Sequence, residues 1–308
     1  MFYSQQRTLK HRVSCVGVGL HTGVQTVITL CPAAEDTGIV FNRTDVGNKH
    51  PLVPARYDLV THTMLGTRIQ NAHGVSVDTI EHLMAALWGC QIDNAVIEID
   101  GPEVPIMDGS SEPFVFLIEC AGIHKQTQPR RVIEIKKEIH IIEDGKFASV
   151  SPSDTFAIEL EIDFKNPVIG HQKYFFDARQ YSFKTDVSSA RTFGFLHEVE
   201  QLRSMGLAKG GSLDNAIVIN EEGIMNKDGL RFDNEFARHK LLDCVGDFFL
   251  AGGFVKGSFK TYRSGHDLNN KLLRALFSDE TAWSQVSFSE DSAAHSAFSH
   301  TMAETGLN

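Results

Sequence analysis

Residues 231–247, RFDNEFARHKLLDCVGD, carry two stripes at once. Phe236, Leu241, Leu242 and Val245, continued by Phe248 and Phe249, fall at roughly helical intervals and predict an amphipathic helix with one buried face. His239, Asp243 and Asp247 stand at i, i+4 and i+8 and so stack on a second face, one turn apart. An imidazole and a carboxylate in that relation can reach one divalent ion, and a further carboxylate below can hold a neighbouring group in place. The plainer alternative is a solvated polar face, which so short a spacing does not exclude.

The rest of the chain sets the frame for that helix. At 308 residues, 42 % hydrophobic and 22 % charged, it has the composition of an ordinary globular protein, with enough length for two domains. A formal net charge of −10 disfavours nucleic acid and anionic membranes as partners, and requires a local basic patch for any anionic substrate. Cys15, Cys31, Cys90, Cys120 and Cys244 are odd in number and scattered, with no C-x-x-C, which argues against a disulfide framework and for a reducing compartment. The opening MFYSQQRTLKHRVSC lacks the apolar core of a secretory signal, and no stretch reaches transmembrane length. The expectation is a cytoplasmic monomer.

Val13–Leu20 and Val24–Leu30 read as paired strands about a His21-Thr22-Gly23 turn, with another strand beginning at Ile39. Thr79–Trp88 reads as a short helix closed by Gly89, Ala95–Ile99 as a strand, and Phe114–Ala121 as a helix. The polar run 124–130, with Pro129 inside it, is the expected linker between a first unit, 1–123, and a second, 131–280. Strands restart at Val132–Ile142 and Ala157–Phe164. Phe193–Gly206 has one apolar helical face, Phe195, Val199, Leu202 and Met205, whose plain reading is core packing. Residues 281–308 hold six serines and neither lysine nor arginine, and read as a flexible tail; His295 and His300 in it read as solvated. A faint internal echo links QIDNAVIEIDG (91–101) to SLDNAIVINEEG (212–223), and EHLMAALWG to RHKLLDCVG. A duplicated α+β unit is the economical explanation, with a site drawing on both histidine-bearing helices.

Three groups are candidates for chemistry. Adjacent residues on a helix point about 100° apart, so Glu81 and His82 suit a division of labour in which His82 binds metal and Glu81 leans toward a water. His239 and Asp243 complete two nitrogens and one carboxylate oxygen, a suitable set for catalytic zinc. His266, in the Gly-flanked SGHDLNNK, stands where it could approach a substrate with Asp247 holding its ring. His62, His73, His124, His140, His171 and His197 are read as structural or solvated.

GVGLHTG, TIEHLMAAL, PIMDGS, ARTFGF, GGSLDNA, DGLRFDNEFARHKLLDCVGD and SGHDLNNKLL occur in that order. Together they resemble the UDP-3-O-acyl-N-acetylglucosamine deacetylase family, zinc amidases of lipid A synthesis in Gram-negative bacteria, from about Gln6 to Ala275. The resemblance implies an α+β fold of two similar domains, each a sheet with helices packed on it, the helix layers face to face and a small insert in each. It implies one catalytic Zn2+, with Fe2+ an alternative, on His82, His239 and Asp243. Glu81 is then the general base and His266 the other catalytic group, oriented by Asp247. Thr192 supports the oxyanion, and Lys240 and Phe193 contact substrate. Phe164 is expected near the uracil, and Arg263, where the family usually has lysine, near the pyrophosphate; Lys256 and Lys260 are left as a solvated face. A β-α-β insert near 192–218 would form a passage for the fatty acyl chain, with Leu20, Val199 and Leu202 as wall residues. Gly66 stands where many members have cysteine, which removes a thiol but no essential ligand.

The implied reaction is metal-assisted hydrolysis of the N-acetyl amide of UDP-3-O-acyl-N-acetylglucosamine, the committed step of lipid A synthesis. Two other readings compete: an amidase for another acylated sugar, and a catalytically silent relative that binds lipid or protein. The complete set Glu81, His82, His239, Asp243 and His266 argues against the last.

Overall fold

The computed structural model describes residues 3–47 and 49–287. Its two halves repeat one sheet topology. In the first, the strands lie in the order Val13–Val18, Gln25–Pro32, Ala95–Ile99, Ile39–Arg43, Leu52–Pro54. In the second the same path runs Ile139–Glu143, Lys146–Ser151, Phe254–Tyr262, Phe156–Asp163, His171–Asp177. Within each path only the third and fourth strands are parallel to one another; the other neighbours are antiparallel. The helix preceding the central strand is Glu81–Gly89 in one half and Glu235–Phe249 in the other, and the helix following it is Glu112–Ala121 or His266–Ser278.

The duplication is therefore real, but only half of the sequence echo marks it. The helices EHLMAALWG and RHKLLDCVG are equivalent. Ala95–Ile99, however, corresponds to Phe254–Tyr262 and not to Ile217–Ile219, which forms a separate two-stranded parallel sheet with Phe193–Phe195. Short apolar runs next to an Asp-Asn pair match by composition alone.

The helices Glu81–Gly89 and Glu235–Phe249 pack against each other between the two sheets. That is why Glu81 through Trp88 are all buried, with no polar face left for solvent. Leu83, Met84, Leu87, Leu241, Leu242 and Val245 on these two helices are 0–1 % exposed, each stabilising the fold by about 1.5–3 kcal/mol. Contact is closest at Gly246, where an added Cβ would fall 2.1 Å from the Glu81 carbonyl oxygen. Only glycine permits the two backbones to meet there.

Three expected elements differ. Ile123–Pro129 is a strand antiparallel to Gln5–Leu9, so the segment read as a linker is hydrogen-bonded structure; Pro129 is tolerated at the end of a two-stranded ribbon, where its missing N–H breaks no central ladder. Trp283–Ser287, read as the start of the tail, pairs with Arg131–Ile135 at the edge of the second sheet, its indole stacked edge-on against Phe277. The remainder of that tail, with His295 and His300, lies outside the described residues. Phe193–Gly206 divides into the strand Phe193–Phe195 and the helix Leu196–Ser204, on which no residue is fully buried. The strand, that helix and Ile217–Ile219 make a β-α-β unit, and the apolar face read as core is half exposed. None of the described helices is long and apolar enough to cross a membrane.

Candidate active site and metal centre

The face-to-face helix pair brings His82, from the first half, against His239 and Asp243, from the second. Their ligand atoms all lie within 4.8 Å of one another, and the three side chains are buried. His82 Nε2 is 3.6 Å and His239 Nε2 3.5 Å from Asp243 Oδ1. Those separations exceed ordinary hydrogen bonds, yet they match the edge of a tetrahedron, about 3.4 Å, spanned by ligands bound about 2.1 Å from a common centre. His239 donates Nδ1–H to the Ala190 carbonyl at 3.0 Å, which turns its Nε2 lone pair toward the group. Nδ1 of His82 is buried and has no hydrogen-bond partner among the described residues. Asp243 Oδ2 accepts from Lys240 Nζ at 2.7 Å, leaving Oδ1 as the free donor. Burial pushes His239 down to about 3, so the imidazole is neutral, the form that ligates. Burial alone would raise Asp243, but the Lys240 charge beside it holds it well below the usual carboxylate range. Two imidazole nitrogens and a carboxylate oxygen on buried side chains fit a divalent metal.

Glu81 precedes the first of these residues. Its Oε2 accepts the Thr67 N–H at 2.9 Å, and its Oε1 lies 4.0 Å from His266 Nε2. Burial raises its proton affinity, with the His266 charge acting in the opposite sense. His266, at the first turn of its helix, donates Nδ1–H to Asp247 Oδ2 at 2.8 Å. Burial lowers the imidazole, but Asp247 and then Glu81 outweigh it and raise the group to about 9. Asp247 is itself held by Asn269 Nδ2 at 2.8 Å and by the Thr67 hydroxyl at 2.7 Å.

Glu81, His82, His239, Asp243 and His266 open onto one cavity of about 450 Å³, whose wall also includes Leu20, Thr192, Phe193 and Lys240. Thr192 is fixed there by its N–H to the Gly109 carbonyl and its own carbonyl accepting from Ile217. The Phe193 ring stands 6.2 Å from that of His239 and 5.8 Å from that of Phe164, which thus adjoins the wall without forming it. Arg263 is exposed on the turn before the His266 helix and is not on the wall. Among the described residues, the lysine on the wall besides Lys240 is Lys146, the first residue of the strand Lys146–Ser151, just after the hairpin turn. Sequence reasoning passed over it because a single lysine in a polar hairpin carries no local mark. Lys256 and Lys260 pair with Glu134, Asp154 and Glu159. Val199 and Leu202 are half-buried on the insert helix, outside the central wall. A second cavity of about 340 Å³ shares Leu65 and Thr79 with the first and continues past Val24, Met64 and Leu207. Gly66 abuts the site: a Cβ there would be 3.0 Å from Glu81 Oε1.

A family model described as UDP-3-O-acyl N-acetylglycosamine deacetylase matches residues 6–278. The chain is 47 % identical over 296 residues to the UDP-3-O-acyl-N-acetylglucosamine deacetylase of Vibrio campbellii, covering 96 % of this chain and 97 % of that one. It is 48 % identical over 288 residues to the protein of the same name from Histophilus somni, covering 93 % and 94 %. With that of Vibrio cholerae the identity is 48 % over 296 residues, covering 96 % and 97 %.

Proposed function

The chain belongs to the UDP-3-O-acyl N-acetylglycosamine deacetylase family, and from that membership we infer that it hydrolyses the N-acetyl amide of UDP-3-O-acyl-N-acetylglucosamine in lipid A synthesis. Water is consumed, and acetate and the free amine are released. The observation that carries the residue assignments is the convergence of His82, His239 and Asp243 beneath Glu81 and His266 in one cavity.

His82, His239 and Asp243 would hold the metal, with Zn2+ the ion that two nitrogens and one oxygen suit. The chemistry a divalent cation supplies in such a site is Lewis acidity, polarising the amide carbonyl and making water acidic near neutral pH. Lys240 keeps Asp243 ionised and aimed. Glu81 takes the proton from the attacking water; its raised proton affinity brings it nearer to the working pH of a base. The Thr192 hydroxyl and His266 support the developing oxyanion. His266 keeps its proton through neutral pH and gives it to the departing amine nitrogen, while Asp247 stabilises the imidazolium before the transfer. Lys240 and Lys146 supply the positive charge that a pyrophosphate requires in a chain of net charge −10. Phe193 and Phe164 offer aromatic surface beside it. The acyl chain leaves the centre past Leu20 and the second cavity, under the insert that carries Val199 and Leu202. Scattered cysteines, all of them free, suit the reducing cytoplasm as the compartment.

Acetate release from the purified protein tests this reading. Release from UDP-3-O-acyl-N-acetylglucosamine is expected. Release only from a different N-acyl sugar would reassign the substrate, and none from any would make the protein a binding relative.

A further inference from the structure

Thr67 has no part in the chemistry above, yet it touches both of its proton-handling arms. Its backbone N–H donates to Glu81 Oε2 at 2.9 Å, and its hydroxyl donates to Asp247 Oδ1 at 2.7 Å. The second bond crosses from the first half of the molecule to the second. Thr67 is 2 % exposed, and Glu81 and Asp247 are each 3 % exposed, so no solvent competes for these acceptors. With His266 and Asn269 on Oδ2, the hydroxyl completes the set of donors on Asp247.

The backbone around Thr67 is bent to make this possible. Leu65 and Thr79 both have positive φ, 67° and 56°, in a region that a leucine or a β-branched threonine rarely adopts. They flank the segment on either side: Leu65 lies in the bend before Thr67, and Thr79 precedes the Glu81 helix. The Thr67 carbonyl in turn accepts the Ile80 N–H at 3.3 Å. Strained residues that lead into a site are held there by the contacts they enable.

We propose that Thr67 is a positioning residue that fixes Glu81 and the Asp247–His266 pair relative to one another, its N–H on one carboxylate and its hydroxyl on the other. The proposal rests on the roles given above to Glu81 and His266. Its test separates the two claims. Thr67→Val keeps the volume and the backbone N–H but removes the hydroxyl; Thr67→Ser keeps the hydroxyl. The valine variant is expected to lose roughly 10–100-fold in kcat, with KM and bound metal unchanged, and serine to recover wild-type turnover. The Nδ1–H resonance of His266, read by NMR without substrate, should move in Thr67→Val and return in Thr67→Ser. If valine fails to fold, Thr67→Ala takes its place in every measurement. A wild-type resonance and kcat without the hydroxyl would overturn the proposal. So would equal damage by serine and valine, or a loss of metal and KM in step with kcat, which is what general loosening produces. Absence of acetate release by the wild-type protein would sink the functional reading instead, and the resonance would still decide the role of Thr67.

Discussion

His266 donates its Nδ1–H to Asp247 Oδ2 across 2.8 Å, joining the first residue of one helix to the last turn of another. That contact, set against burial, raises the imidazole to about 9. The alkaline limb of kcat/KM should therefore report loss of the His266 proton. In Asp247→Asn, burial is opposed by less negative charge, and the limb should move to lower pH. A limb unmoved in that variant would take His266 out of the proton balance.

The same contact has a stability consequence. A folded value of about 9 against an ordinary 6.5 means that protonated His266 stabilises the fold fully below 6.5. This contribution fades as pH rises through about 9. In metal-free protein, the gap in Tm between wild type and Asp247→Asn should accordingly narrow across that window. A gap that widens with pH would have the wrong sign.

Glu81→Gln keeps the shape of the side chain and removes the base. Turnover should drop by about 10²–10⁴-fold, while metal content measured on the same sample stays at the wild-type level. Parallel loss of metal would make Glu81 a ligand and not a base.

At Gly246, Gly246→Ala would drive a methyl group to 2.1 Å from the Glu81 carbonyl oxygen and force the helices apart. Denaturant unfolding should show a loss of about 1–3 kcal/mol, and metal affinity should fall, because His82 moves away from His239 and Asp243. Unchanged metal affinity would mean that the ligands do not depend on this close approach.

Much of this site was legible in the chain because helical spacing is local. His239, Asp243 and Asp247 declare a shared face by their intervals alone, and Glu81-His82 opens a recognisable helix. Thr67, Gly246 and Lys146 were not legible. Thr67 acquires its role only when residue 247 is folded against it, Gly246 only when two backbones meet, and Lys146 only when a hairpin turn is brought over the cavity. The fold followed the same rule. The equivalent helices showed in the sequence, whereas Ile217–Ile219 resembled Ala95–Ile99 and belongs to a different sheet, since strand pairing is decided by partners far away in the chain. The polar run at 124–130 looked like a linker because nothing local announces that Gln5–Leu9 lies alongside it.

The most direct measurement is metal titration of the chelator-stripped protein, with acetate release followed at each addition. Activity should rise linearly to one equivalent of Zn2+ and then level off, and His82→Ala, His239→Ala and Asp243→Ala should each fail to regain it at that stoichiometry. Full activity in the stripped protein, or in any of those three variants, would contradict the account.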